Sequence, residues 1–519
     1  MRPGFAVSQR PSGARAVLWR VLRWTAIGAA ALGLLLALVC VEENRRGKRS
    51  WETARRHLAA RGIEMDWRKL APAAVDDADN FATTPFLAAL FDYLPGTYTP
   101  RDLQAYNRVA GFAQTEPPYA EQRGPGEPPP PMVRGERVDL AAALARLRKA
   151  QHNDGAAPGA NPAGRTELAN AVLEALEQYR PVLDELRGAS RRRQARFNVN
   201  YAVDYPWLVS QPHLPVLKRV SRVLLWRAAA ELALGNSAAA AEDAALEISL
   251  AAALEPEPLL SSLSARHVIL FNARQIIWEG LAAHQWSDEQ LADFQQRLAQ
   301  FTLQDTQRLL AFERAFGNAL FEFAHQEPKM VRGWVLGPTR ADKLRAVVLH
   351  HMPAGWMFLE QGSYQRSFDE LIAPALDLEA GRIRPGLVEQ ACHPPFPVLR
   401  HRLMAGMATR SLYLLQTSAL AQTGIDEAII ACALERHRLH SGGLPENLQA
   451  LAAYLPGPLP LDVITGKPMH YRVSADGQFI LYSVGWNEQD DGGKVVLNQQ
   501  SNGTDPVKGD WVWPAYPRD

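Results

Sequence analysis

His437 and His440, three residues apart with Glu435 close by (ERHRLH), are the pair whose spacing most resembles a metal site. On a helix that spacing puts two imidazoles on one face, as a zinc site requires. No third ligand follows at a recognisable spacing, and helices that alternate His with Arg read more simply as solvated faces. His350-His351 precede Met352-Pro353 at an expected helix end, where a protonated ring meets the negative end of the helix dipole. Cys392-His393 sets a thiol beside a base, yet side chains adjacent in sequence diverge and Pro394-Pro395 makes a turn of the segment. Tyr482-Ser483-Val484-Gly485 has Leu481 where a nucleophile elbow has glycine. The sequence holds no His-Glu-x-x-His pattern and no glycine loop able to cradle phosphate. Thirteen tryptophans, among them Trp207, Trp226, Trp278, Trp334, Trp356, Trp486, Trp511 and Trp513, would suit an aromatic carbohydrate cleft. Their spread along the chain favours core anchors instead. No catalytic residue is therefore assigned.

The elements that would position these residues are mostly helical. From Arg137 to about Leu455, leucine, alanine and aromatic residues recur at three- and four-residue spacing. Val223 to Leu254 (VLLWRAAAELALGNSAAAAEDAALEISLAAAL) predicts two helices broken at Gly235-Asn236, with Leu225, Trp226, Leu232, Leu246 and Leu250 as bulk. This unit resembles a tetratricopeptide-type hairpin, but no second copy recurs at a period of roughly 34 residues. An irregular bundle or solenoid is the expectation. Further helices are predicted at Ser287–Phe301, Asp305–Ala324, Arg340–Leu349, Leu403–Gln422 and Asp426–Ser441, with a short one at Glu446–Leu455. Pro128 to Pro131 should be an extended spacer, with a ligand for a proline-binding groove as the alternative. A second gap is expected at Asn153–Arg165.

Before this body lies the run Trp24 to Val41 (WTAIGAAALGLLLALVCV), 18 residues without a charge. At about 1.5 Å per residue it reaches ~27 Å, close to the hydrocarbon thickness of a bilayer. The bulky Leu38, Val39 and Val41 suit neither a signal-peptidase site nor a lipobox at Cys40, so an uncleaved anchor is expected. A cleaved signal or a buried soluble helix are the alternatives. Arg2, Arg10, Arg15, Arg20 and Arg23 precede the run without an acid, while the basic residues after it are diluted by Glu42, Glu43 and Glu52. A short acid-free tail favours a cytoplasmic N-terminus and a body outside the inner membrane, in the periplasm. Ser50–Gly62 reads as an amphipathic helix leaving the membrane.

Composition bounds the rest. At 519 residues and 47% hydrophobic, the chain can form two or three domains with a sizeable core. A net charge of +1 gives no reason to expect nucleic acid as a partner. Three cysteines, one of them Cys40 in the anchor, are too few for a disulfide scaffold. Cys392 and Cys432 are expected to be buried free thiols, with a disulfide between them as the alternative for an extracytoplasmic body.

Near Leu455 the pattern turns to period two. Met469–Val473 and Gln478–Val484 read as strands joined by Ser474-Ala475-Asp476-Gly477, since Asp-Gly tolerates positive φ. The order of a helix, GGLPENLQAL, PLDVITGKPMHYR and FILYSVGWNEQDDGG resembles the globular domain of major pseudopilins of type II secretion systems. The match covers about Asp426 to Trp513, with Val463 and Met469 departing from the family pattern. Hundreds of residues separate it from the membrane helix, so fibre assembly does not carry over. The whole layout, with DDADNFATTPF after the anchor, also resembles uncharacterised single-pass proteins of planctomycete and verrucomicrobial type. The pseudopilin resemblance implies calcium as the one candidate cofactor. Asp490 and Asp491 match the acidic loop, and Asn487, Asp505 and Asp510 are oxygen donors nearby.

The expected layout is a cytoplasmic tail 1–23, an anchor 24–41, a juxtamembrane and proline-rich segment 42–135, a helical body 136–425 and an α+β module 426–519. The expected function is a non-enzymatic envelope scaffold. It meets the bilayer through 24–41 and its protein partners through the body. A glycan-active hydrolase or binding protein and a secretion-apparatus component are the alternatives.

Overall fold

The computed structural model describes residues 13–94, 96–97, 99–114, 130–150, 164–327, 353–392, 402–475, 477–499 and 503–516. Most of the proline-rich stretch, the second gap, the helix expected at Arg340–Leu349, and Trp334, His350, His351 and His393 lie outside these residues. The described helices begin with α1 (Gly13–Ala60), α2 (Pro85–Ala88), α3 (Leu103–Gln114), α4 (Leu140–Ala150), α5 (Arg165–Leu176), α6 (Arg180–Ala189) and α7 (His213–Ala233). They continue with α8 (Ser237–Ala253), α9 (Leu260–Ala282), α10 (Asp288–Leu298), α11 (Gln304–Gln326), α12 (Ala354–Ser367), α13 (Pro385–Cys392) and α14 (Arg402–Ser441). The fold is mainly α, with small antiparallel sheets near the C-terminus. Two compact units result: Met1–Ile63 with Leu320–Arg366 and Pro395–Met404, and Glu64–Ala319 with Ser367–Pro394 and Ala405–Asp519.

In the first unit, α1 is one helix of 48 residues, so the separate helix expected at Ser50–Gly62 is instead its continuation. Proline is absent from this stretch, and nothing else interrupts the hydrogen-bond ladder. The helix is long and apolar enough to cross a membrane, and none of its apolar window is buried against protein. Thr25 returns its hydroxyl to the carbonyls of Val21 and Leu22, which satisfies that side chain within the helix. Beyond the apolar window the helix buries a stripe of Gly47, Trp51 and Leu58, spaced by four and seven. At Gly47 that stripe meets α12. Gly47 and Gly355 touch backbone to backbone, Asn44 accepts the Gly355 amide at 2.7 Å, and Glu43 accepts the Trp356 indole at 2.9 Å.

In the second unit, the helices expected on either side of Gly235-Asn236 form as α7 and α8, and α9 packs against both. Ala228, Ala230, Ala240, Ala244 and Ala251 are fully buried, which lets these backbones approach closely. The helix expected at Ser287–Phe301 forms as α10, started by a capping box between Ser287 and Gln290. Pro85 opens α2 at a position where its missing N–H costs nothing, capped by Thr84.

Two expectations are corrected. Leu403–Gln422 and Asp426–Ser441 are one continuous helix, α14. Gly424, taken as part of a break, is helical because the buried Arg274 guanidinium occupies the space a side chain would need. The short helix at Glu446–Leu455 is a tighter 3-10 turn, Leu448–Tyr454.

The C-terminal sheets are β1 (Leu376–Asp377) with β2 (Arg382–Ile383), β3 (His470–Val473) with β4 (Phe479–Ser483) and β7 (Trp511–Val512), and β5 (Val495–Leu497) with β6 (Thr504–Gly509). Every pairing is antiparallel, and the Asp-Gly hairpin sets His470 opposite Tyr482. This sheet shares the core of the helices. The Trp278 indole donates to the Pro514 carbonyl at 3.0 Å, and Trp278 and Trp513 are almost wholly buried. The expected module boundary at 426 falls inside α14.

Gly424→Ala should push the Arg274 guanidinium away from Glu427, its partner at 3.0 Å, and strand a buried charge. A loss of about 3 kcal/mol is expected, read by denaturant unfolding of the full chain in detergent. A change within a few tenths would refute the packing role given to this glycine.

Candidate functional site

Two cavities open in the second unit. The smaller, about 710 Å³, is lined by Tyr93, Asn198, Asn200, Tyr201, Arg68 and Leu208, among others. Behind it lies a buried polar group. His213 stacks on Phe197 with ring centroids 4.1 Å apart, and its Nε2 is 2.9 Å from Glu257 Oε1 without hydrogen-bond alignment. The other oxygen of Glu257 accepts from Ser262 and from Gln211. Burial, helped by the Glu257 charge, pushes the Tyr201 phenol well above its ordinary range. Ser262 donates to the carboxylate and not to His213. The set therefore lacks the serine–imidazole contact that activates a nucleophile, and it orders the segment between α6 and α7.

The larger cavity, about 860 Å³, is formed by the turn after α6, the end of α8, and α10 and α11. Arg191, Arg192, Arg193, Arg297 and Arg308 line it. The lining carboxylates are Glu255 and Asp293. Arg297 holds Asp293 at 2.6 Å, and Arg308 holds Glu255 at 2.8 Å and Asp305 at 3.3 Å. Glu255 and Asp305 also hydrogen-bond each other. Burial and that bond push Asp305 up to about 7, while Glu255 stays below the usual carboxylate range because Asp305 and Arg308 donate to it. The pair shares one proton near neutral pH.

Elsewhere buried charge serves the packing. Asp243, fully buried on α8, binds Arg227 of α7 and Arg187 of α6 at 2.6 Å each. Burial nonetheless raises it to about 6. Asp426 and Glu427 are raised by burial to about 8. Asp462, also fully buried, accepts from the Ser483 hydroxyl at 2.8 Å and from the amides of Ile464 and Val484. The Asp of the PLDVITGKP turn and the Ser of the YSVG strand thus fasten turn to strand. Gly485 is required there: its φ is +70° and an added Cβ would lie 2.6 Å from the Gly509 carbonyl.

The candidate calcium ligands are brought together only in part. Asp510 accepts the amides of Asp491, Gly493 and Lys494. Asp490 accepts the Tyr482 hydroxyl and the Gly492 amide, each at 2.9 Å, and Asn487 donates to Asp491 at 3.1 Å. Asp505 sits apart on β6 and accepts the Val507 amide. Among the described residues, no three His, Cys, Asp or Glu side chains gather as a metal site. His437 and His440 bind the carbonyls of Gly443 and Arg436, while Glu435 pairs with Arg438 and His284. Cys392 and Cys432 are free thiols, Cys432 fully buried.

Sequence reading passed over the arginine turn, the His213–Glu257 contact and the Glu255–Asp305 pair. Only the first had a local signal, the run Arg191-Arg192-Arg193 directly after a helix end. Comparison with family models, curated proteins and solved structures finds no match to the chain.

The raised carboxyls fix a pH dependence. Asp243, Asp305, Asp426 and Glu427 keep protons when folded up to about 6 to 8, whereas unfolded carboxyls lose theirs near about 4. Across that window the folded chain binds more protons, so stability is greatest at its acid end and falls as pH rises. Carboxylates held low, such as Asp288 and Asp490, lose their contribution only below it. The melting temperature should therefore drop between about pH 5 and pH 8. A flat or rising profile would mean these carboxyls are ionised in the fold.

Proposed function

We propose that the chain is a membrane-anchored binding protein of the cell envelope without catalytic activity. In this reading α1 crosses the inner membrane once, with the N-terminus cytoplasmic and the body periplasmic, and the helical body meets protein partners. The observation that carries it is α1, whose apolar window is bare of protein contacts and whose continuation is built into protein. The acid-free basic tail before the window supports the orientation. The α7–α8 pair, closely packed through alanines, supports a tetratricopeptide-like unit of the kind that builds contact surfaces.

The glycan-hydrolase alternative gains little support. Such enzymes hold the sugar between two carboxyls roughly 5–10 Å apart. Glu255 and Asp305 instead hydrogen-bond each other, and no tryptophan is among the residues lining their cavity. A secretion-apparatus role is supported only by the turn built on Asp462 and Ser483.

Leu34→Arg with Leu36→Arg adds about 2.5–3.5 kcal/mol of insertion cost per residue. The unaltered chain should resist carbonate extraction of membranes, while this variant should appear in the soluble fraction. Affinity capture of the full chain from detergent-solubilised membranes, read by mass spectrometry, tests the binding role. A reproducible set of envelope proteins is expected. Cleavage of an envelope polymer by the purified chain would contradict the reading.

A further inference from the structure

The larger cavity carries positive charge that no carboxylate among the described residues neutralises. Arg191, Arg192 and Arg193 follow one another in the turn after α6, and among the described residues none of the three pairs with a carboxylate. Arg192 is held in place, donating to the Asn80 carbonyl at 2.7 Å and the Thr83 hydroxyl at 3.0 Å. Arg191 and Arg193 are exposed. The remaining two arginines of the lining are matched by Asp293 and Glu255, so the surplus belongs to this turn. Three adjacent like charges repel one another, and an anion placed among them relieves that repulsion. Leu70, Val75 and Phe81 supply apolar wall to the same cavity. Its volume, about 860 Å³, lies in the range of small-molecule sites.

We propose that this cavity binds a phosphate ester, with the phosphoryl group in the Arg191–Arg192–Arg193 turn and the organic part against Leu70, Val75 and Phe81. The chemistry of the turn selects the anion. A phosphate monoester brings nearly two negative charges at neutral pH and three acceptor oxygens, and guanidinium forks match it in bidentate fashion. A carboxylate brings one charge and cancels less of the turn's surplus. The phosphoryl group could belong to a soluble ester or to a lipid headgroup, and the shared chemistry is the same.

The inference rests on the binding reading above and adds a small-molecule ligand to its protein partners. It is tested by calorimetric titration of the full chain in detergent with two probes, glycerol 3-phosphate and a short-chain phosphatidic acid. Saturable binding of at least one probe is expected. Tight binding of glycerol 3-phosphate assigns a soluble ester, and binding of the phosphatidic acid alone assigns a lipid. Arg191→Ser with Arg193→Ser should weaken binding at least about tenfold, as should Ala252→Leu, which narrows the cavity and changes no charge. Absence of saturable binding by either probe overturns the proposal, as does unchanged affinity in both variants. If envelope partners are still captured in that event, the phosphate assignment alone falls and the binding reading stands.

Discussion

Among the described residues the uncharged run Trp24–Val41 has no protein to bury against, and this constraint orders the rest of the molecule. In water its side chains would stand exposed along several helical turns, with Leu34, Leu35 and Leu38 each more than half accessible. A bilayer removes that cost. It also demands that every backbone group be satisfied within the segment, as an unbroken helix does. The same helix then leaves the apolar region and changes its chemistry. Charged residues surround a narrow buried stripe, Gly47, Trp51 and Leu58, which meets α12 at Gly47. A length apolar enough to cross a membrane and a length packed on protein are thus joined in one unbroken helix.

In the second unit the corresponding constraint is the enclosure of charge. Alanine-rich helices approach closely and exclude water, so a buried carboxylate is held only with partners. Asp243 meets two arginines, and Glu427 meets Arg274. Asp462 meets a hydroxyl and two amides. Asp243 with Arg187, Glu427 with Arg274 and Asp462 with Ser483 join segments far apart in sequence, and one core contains residues of helices and sheet alike. The chemistry that resembles a site in the C-terminal module is therefore largely the chemistry of its own folding. The arginine turn differs, because none of its three charges pairs with a carboxylate among the described residues.

Local pattern made several elements legible. The anchor follows from 18 uncharged residues, the α7–α8 break from Gly235-Asn236, and the β3–β4 hairpin from Ala475-Asp476-Gly477. What stayed hidden depends on contacts between distant segments. Thr423-Gly424 looks like a helix break until Arg274 is placed against Gly424. Glu255 and Asp305 lie fifty residues apart, and nothing in either neighbourhood foretells a shared proton. The acidic loop is a calcium candidate through its pseudopilin resemblance, which does not show where each carboxylate turns. Folding turns Asp510 and one oxygen of Asp490 toward backbone amides.

Cysteine accessibility in intact cells tests the central claim most directly. Ser8→Cys reports on the tail and Glu446→Cys on an exposed point of the body, each probed with a maleimide that cannot cross the inner membrane. The account predicts labelling of the body position in cells with a permeable outer membrane, and labelling of the tail position only after the inner membrane is opened. Equal labelling of both positions before opening would show that α1 does not separate two compartments, and the anchored reading would fail.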